Sequence, residues 1–518
     1  MKNTTVKKYF PKSPRKSQAQ SAILPFSKNI KVEWEPDADV TSSAGAAYFF
    51  GFLKRTGFLG KLLVGSPLRY RSNNAPDPSA VLATLIYAII KGGNRYAFIN
   101  TVRNDLVLPE IIGVGGFVSE DSVRRGLLRG SWEEWDSWLS GIERDIYESL
   151  LGEDYIIDID STVKKLYGHQ ECAVKGYNPT RPGRPCHSCH SYLVGGIRIV
   201  LGVDVHPGNE SAGCYGMPAL WRLLDSLPAG RLPCLIRGDV GYGSEEIMRE
   251  TEKRGLRYLF KLRRSTRVQR EFASACSFGK WEDAGNGWEA NVTTTRSGTG
   301  STRRRVFLRR PARDGYPGKI PGGDGAARQG LFGFINDVAP AGGWEYELLV
   351  TNNTTLSAAL LAQTYRDRGD CENVFDETKN QWGWSGFMTA DMKRCTIVMR
   401  LTAILFNLWN IFTRLADPRK HMEAITSRPM LIDTVGRLVR TGRQKILKLT
   451  SNHSKRRQIC ATLEKIRMFL ERLTSTAEQL TRERLWAIIL STAFVKWLRG
   501  KMVNQASEGC QLLLNLRN

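Results

Sequence analysis

In the stretch LAQTYRDRGDCENVFDETKN (361–380), a phenol, two cations and a carboxylate recur at helical spacing: Tyr365, Arg368, Lys379 and Glu372. At about 100° per residue, Arg368, Glu372 and Lys379 fall roughly 60°, 20° and 40° to one side of Tyr365. On one helix they share about a sixth of the circumference along about 20 Å of axis. A carboxylate there can hold a divalent metal, while guanidinium, ammonium and phenol can grip phosphates. The plainer meaning of such a stripe is an exposed helix with i,i+4 ion pairs.

Two more acids stand where a sheet would present them. YIIDID (155–160) reads as a compact strand ending in Asp160, and Asp239 follows the apolar CLIRG (234–238) just before Gly241-Tyr242-Gly243. Ligand crevices open at the carboxyl ends of strands in sheets flanked by helices. Asp158, two residues before Asp160, shares its sheet face and is an alternative to it; Asp376 shares the helical face of Glu372. Gathered carboxylates repel and lose charge unless a cation neutralises them. Mg²⁺ fits, with Mn²⁺ as a substitute, because it takes few carboxylates plus water and phosphate. Two ions about 4 Å apart would activate a water or 3′-hydroxyl and stabilise the leaving oxygen. Singly, an Asp at a strand end is often just a turn residue. The signal is the conjunction of three acids with phosphate-gripping neighbours.

The elements needed to position these residues can be read along the chain. Residues 1–31 carry eight Lys/Arg and no acid, which predicts a disordered basic tail. Residues 32–150 read as helical; Ser119 caps a helix entering Arg124 and Arg125, and a helix-turn-helix and an ordinary bundle remain equal readings. From 151 to 263 short strands alternate with helices: 155–160, two strands within 191–205 turning near Gly202, then 234–241 and 256–263, with Ser244 capping the helix between the last two. This order implies an α/β fold with a central mixed sheet and flanking helices. Residues 264–343 are Gly/Thr/Ser/Arg-rich with short strands at 288–296, 304–310 and 331–337, an inserted β subdomain. Residues 344–390 return to the sheet and the Tyr365 helix, and 391–518 read as a basic helical region. Within it, 434–457 carries eight basic residues and no acid, with Arg437, Arg440, Arg443 and Lys445 as candidate phosphate contacts; a solvated face is the alternative.

At 518 residues the chain exceeds one ordinary core, so three or four units are expected. Lys and Arg total 75 against 51 Asp and Glu, a formal charge of +24 that points to a polyanion, with nucleic acid ahead of membrane. The apolar runs at 80–90 and 404–412 fall short of the roughly 20 residues of a membrane span. No apolar segment follows the basic N-terminus, so no secretory signal is read and the expected location is the cytoplasm, on the nucleoid. The ten cysteines are expected reduced. Cys186-His187-Ser188-Cys189-His190 matches the C-x-x-C-H of haem attachment, but haem attachment needs export and zinc needs a second ligand pair. A loop or strand edge with reduced thiols is the favoured reading.

On these residues the chain resembles bacterial insertion-sequence transposases with an RNase H-like DDE core, of the branch with the Y-x2-R-x3-E-x6-K signature. Tyr365, Arg368, Glu372 and Lys379 fit every spacing; Asp160 in D-S-T and Asp239 in R-G-D-V-G-Y match the first two acids, and 167–185 is similar to a segment of one subgroup. Cys371 beside the glutamate and the 186–190 cluster are departures. The resemblance implies that Asp160, Asp239 and Glu372 bind two Mg²⁺ ions and that Tyr365, Arg368 and Lys379 hold phosphates at the element end. It implies cut-and-paste transposition through a hairpin, with an aromatic from the β insertion stacking on a flipped base; Trp288 and Trp281 are candidates, although burial in a local core is the more usual fate of each. Trp382 and Trp384 are weighed the same way. Partners implied are terminal inverted repeats, target DNA and a second copy in the synaptic complex. A nuclease without strand transfer and an inactive DNA-binding regulator are the rival readings.

Overall fold

The computed structural model describes residues 22–23, 31–32, 35 and 38–503, apart from 153–154, 177, 179–180, 210–211, 229, 297–299, 312–343, 451–453, 477–480 and 500–502. The basic tail expected at 1–31 and the strand expected at 331–337 therefore lie almost wholly outside the described residues.

Helices come first. In α1 (Pro78–Ile90), Asp77 accepts from the Ser79 N–H and Pro78 stands in the first turn, where its missing N–H costs nothing. Ser119 caps Glu120–Gly126 as its sequence predicts. α2 (Trp132–Tyr147) opens on a reciprocal capping box between Ser131 and Glu134.

The sheet begins with three antiparallel strands, β1 (Ile156–Lys165), β2 (Pro185–Val194) and β3 (Ile199–Pro207). The β2–β3 turn lies at Gly195–Arg198, where Gly196 has φ +83°, and not near Gly202. The left-handed backbone required there suits glycine, whereas Gly202 lies inside β3 opposite Tyr192. After α3 (Ala212–Asp225) comes β4 (Leu235–Gly238), then α4 (Glu245–Lys253), capped by Ser244, and β5 (Tyr258–Lys261). β4 lies parallel to β1, and β5 parallel to β4. The resulting order, β3-β2-β1-β4-β5, is that of an RNase H-like sheet.

The β segment after 263 continues this sheet instead of forming one of its own. β6 (Glu282–Gly285), β7 (Trp288–Arg296), β8 (Thr302–Pro311) and β9 (Trp344–Thr351) pair in series, and β9 docks antiparallel on β5. Extending an existing edge satisfies a row of backbone groups that a free-standing insertion would leave unpaired.

α5 (Ala358–Arg366) and α6 (Gly369–Gln381) follow, then α7 (Met392–Arg414). α7 is long and apolar enough to cross a membrane, yet it is wholly buried within this fold. Arg400, Asn407 and Asn410 interrupt its apolar runs. The Asn407 amide both accepts from the Val200 N–H and donates to the Val200 carbonyl, at 2.8 and 2.7 Å, so it completes the outer edge of β3 as a neighbouring strand would. One hydrophobic cluster runs from Ala46 to Val503 and includes α1, α2, the sheet and α7. The unit boundaries expected at 150 and 391 fall within this shared core.

The region expected to be all-helical after 391 contains a hairpin. β10 (Gly436–Thr441) and β11 (Gln444–Leu449) pair around Gly442-Arg443, and β10 also pairs with Val40–Thr41. Gly442 has φ +59°, the geometry a two-residue hairpin turn requires. The chain then resumes as α8 (Arg456–Thr476) and α9 (Arg482–Ala493).

Candidate active site

β1 and β4 are pinned side by side. Asp158 pairs directly with Arg237 in the parallel register, and the guanidinium grips the carboxylate through two bonds of 2.6 and 2.7 Å. Both side chains are almost fully buried. A buried pair of this kind is costly to break but fixes register. Asp158 is therefore spoken for, which removes it as an alternative to Asp160. Arg237 was not singled out in the sequence; its one signal was its place two residues before Asp239. The pairing Ile159↔Gly238 is followed, one step along, by Asp160 and Asp239. Asp239 stands just past the end of β4, but Asp160 does not end its strand as expected: β1 runs on to Lys165, because residues 161–165 keep pairing with β2. Gly238 permits this closeness, because a Cβ there would lie 3.0 Å from both Ile159 Cγ1 and Tyr242 Cβ.

Glu372 arrives from α6. The 361–380 stretch is not one helix: α5 stops at Arg366 and α6 starts at Gly369. Tyr365 thus ends one helix, Arg368 sits at the junction, and Glu372 and Lys379 lie two turns apart on the next. The break turns Arg368 inward. It is 7% exposed, with Nη2 2.6 Å from Asp160 and Nη1 3.8 Å from Glu372. The sequence placed Arg368 among outward phosphate grips; here it lies between two acids as their counter-charge. Tyr365 and Lys379 are half-buried, and burial pushes the Tyr365 phenol up and the Lys379 ammonium down.

Burial, with the charges of Asp239 and Glu372, raises Asp160 to about 6 against the pull of Arg368. Asp160 thus feels the charge of the other two acids. Among the described residues, no three His, Cys, Asp or Glu side chains are gathered tightly enough to share an ion in this conformation. The donor set still suits a hard divalent cation, because all are carboxylates and two stand side by side on β1 and just past β4. The third, Glu372, is 73% exposed and free to change rotamer. Asp160, raised above its usual 3.8, favours the metal-free fold while protonated, and that contribution is lost as pH rises from about 4 through about 6. A cation requires the anion. Mn²⁺ affinity is therefore expected to be level above about pH 6 and to fall about tenfold per unit below it, read by calorimetric titration. A flat affinity from pH 5 to 8 would remove Asp160 from the ligand set.

The other candidates are placed less favourably. Trp288 is 8% exposed, packed in the small core of the sheet extension with Arg310 4.6 Å from its ring centre. Arg309 lies 4.0 Å from the Trp281 ring centre. Trp288 is consequently a packing residue here and offers no open face to a base. Trp382 and Trp384 are core residues, donating to Glu377 and to the Met399 carbonyl. The 186–190 cluster lies in β2, so alternate residues face opposite sides. Cys189 meets Met399 of α7, while His190 meets His206. That split parts Cys189 from His190 but leaves His187 on the Cys189 side, 4.0 Å from Cys395, and among the described residues no three such side chains gather. The cluster is not a loop or strand edge as expected, because β2 pairs with both β1 and β3. On the hairpin, Arg437 pairs with Glu35 at 2.8 Å, Arg440 with Glu110 at 3.4 Å and Lys445 also with Glu110. Arg443 sits at the turn.

The Transposase DDE domain family matches residues 151–408, which contain all three acids, and the Transposase DDE domain group 1 family matches 334–506. The chain is a DDE transposase. Such transposases act on DNA and generally use divalent metal ions. No curated protein matches the sequence. Among solved structures, the cryo-EM structure of the piggyBac transposase synaptic complex with hairpin DNA is similar over 92% of this chain and 88% of that one, with 10% identity and a TM-score of 0.39. That similarity is too slight to transfer any residue or step to this transposase.

Proposed function

We propose that this transposase excises and inserts a bacterial insertion sequence, acting in the cytoplasm on the nucleoid. The observation that carries the reading is the buried Arg368 guanidinium between Asp160 and Glu372, with the Asp239 charge acting on Asp160 from the neighbouring strand. Asp160, Asp239 and Glu372 would hold two Mg²⁺ ions, whose chemistry is Lewis-acid activation of the attacking and leaving oxygens of a phosphodiester. The protein's own residues do the rest. Asp158 and Arg237 fix β1 against β4 two residues before each aspartate, so little reorganisation of Asp160 and Asp239 remains at the moment of reaction. Arg368 neutralises the acids before DNA arrives. Once the carboxylates are otherwise neutralised, its guanidinium is released to a phosphate, and Lys379 and Tyr365, both under the charge of Asp160, would meet the backbone.

The basic hairpin supplies end binding. Arg437 stands opposite Lys448, and Arg440 opposite Lys445. Like charges directly across a ladder repel; Glu35 and Glu110 offset part of that repulsion, and a phosphate backbone would offset the rest. The full reading is first-strand hydrolysis, attack of the new 3′-hydroxyl on the opposite strand to give a hairpin, then strand transfer by two copies in one synaptic complex.

The test is a cleavage and joining assay with end-bearing DNA, a target plasmid and Mg²⁺ or Mn²⁺. Metal-dependent nicks, hairpin ends on denaturing gels and joined products are expected. Cutting without joined product would favour the nuclease reading, and end binding with no cutting at any metal concentration would favour the regulator.

A further inference from the structure

A cavity of about 1060 Å³ opens between the β2–β3 turn, the segment after α7 and the chain after α9. Its walls carry Arg198, Arg231, Arg414, Lys420, Lys496 and Arg499, and Asp370 is the carboxylate that lines it among the described residues. Asp370 is already engaged, 2.7 Å from Arg198. Arg231 spends its donors on the Glu148 and Leu151 carbonyls, which carry no full charge.

Arg414 is the telling residue. It is 7% exposed, and its Nε donates to Asn410 Oδ1 at 2.9 Å while its guanidinium lies 5.2 Å from the Phe494 ring centre. No carboxylate lies within ion-pair distance of it among the described residues. Burial, and then the neighbouring Arg198 charge, push Arg414 down to about 10. Asp370 and Asp417 act on it only from beyond ion-pair distance, and a buried cation so weakly compensated is expensive unless an anion completes the site. Leu150, Ile197, Phe494 and Trp497 provide apolar walls that exclude water and strengthen the field inside.

We propose that this cavity is a phosphate-binding site for an anion bearing more than one phosphate, separate from the three carboxylates. The volume exceeds what one phosphate fills, and the cations are spread around the wall instead of converging on a single point. The phosphates have two sources, a free polyphosphate or a nucleic-acid backbone, and both present the same chemistry to Arg414. Occupation would also reach the candidate active site, because Arg198 holds Asp370, two residues before Glu372 on α6. An anion that draws Arg198 away loosens the first turn of that helix.

The experiment uses the full chain and inorganic pyrophosphate, with binding read by calorimetry and by thermal shift. Two variants probe the cavity. Lys420→Glu/Lys496→Glu reverses two exposed wall charges with little risk to folding, and Arg414→Gln empties the buried position. Each is expected to weaken pyrophosphate binding at least tenfold, while Glu372→Gln leaves it unchanged. A second arm adds non-specific duplex and single-stranded DNA. Mutual displacement of DNA and pyrophosphate assigns the site to a nucleic-acid backbone; simultaneous binding assigns it to a free polyphosphate. Pyrophosphate and DNA affinities both unaltered in the folded Lys420→Glu/Lys496→Glu protein would overturn the proposal, whatever the fate of the carboxylate site.

Discussion

Glu372→Gln is expected to lower strand cleavage by on the order of a thousandfold while leaving DNA-end binding intact. A carboxylate that helps hold a catalytic cation contributes several kcal/mol of charge stabilisation, and each 1.36 kcal/mol is about tenfold in rate. The amide keeps the shape of the side chain but removes the charge. Its position makes the test clean, because the Glu372 side chain is 73% exposed and its 3.8 Å approach to Arg368 is a loose one. Exposed substitutions of this kind shift stability by about 0.5 kcal/mol or less. Circular dichroism and melting should therefore match the parent, and a gel shift with end DNA should be unchanged. Cutting at the parent rate would show that the glutamate has no part in the chemistry.

The second large effect lies far from the carboxylates. Arg400 of α7 grips Glu143 of α2 through Nε and Nη2, at 3.0 and 2.5 Å, donates to Ser140 Oγ at 2.8 Å, and pairs with Asp136. Glu143 is wholly buried, and burial pushes its carboxyl up despite the pull of the guanidinium. Arg400→Ala would strand that carboxylate in the core. The expected loss is on the order of 3–5 kcal/mol in chemical denaturation. Because α7 also carries Asn407 and Asn410 onto the β2–β3 turn and β3, the N-terminal helices and the sheet should unfold together, in one transition. Replacing the interior of the network as a whole, with Arg400→Met and Glu143→Leu, should recover most of the loss, since the buried Glu143 carboxylate goes with its partner and Asp136, half exposed, keeps its water. A double variant as unstable as Arg400→Ala alone would place the effect in packing rather than in charge.

These two cases divide what was legible in the sequence from what was not. The candidate acids were legible because a strand end, a Gly-rich turn and a cap are local events. Asp239, Ser119 and Ser244 stand on the elements their neighbours imply, while Asp160 lies on the expected strand but midway along it, since pairing with β2 carries β1 on to Lys165. The signature stripe was legible only as spacing. Angles around a helix hold while the helix is continuous, and the break between Arg366 and Gly369 separates Tyr365 from Glu372 and turns Arg368 toward Asp160. The hairpin at 436–449 did leave a local signal, two β-prone runs around Gly442-Arg443, which a tally of positive charge passes over.

The sequence alone determined the residue types that can bind metal and phosphate, their order, and the alternation of strand and helix around them, because composition and short-range periodicity act within a few residues. Tertiary structure decided which partners those residues meet. Asp158 is claimed by Arg237, Trp288 by the core of the sheet extension and Glu143 by Arg400, while Arg414 has no carboxylate in ion-pair contact among the described residues. Each outcome depends on contacts between segments distant in sequence, where burial raises the cost of an unmatched charge and so selects the pairing.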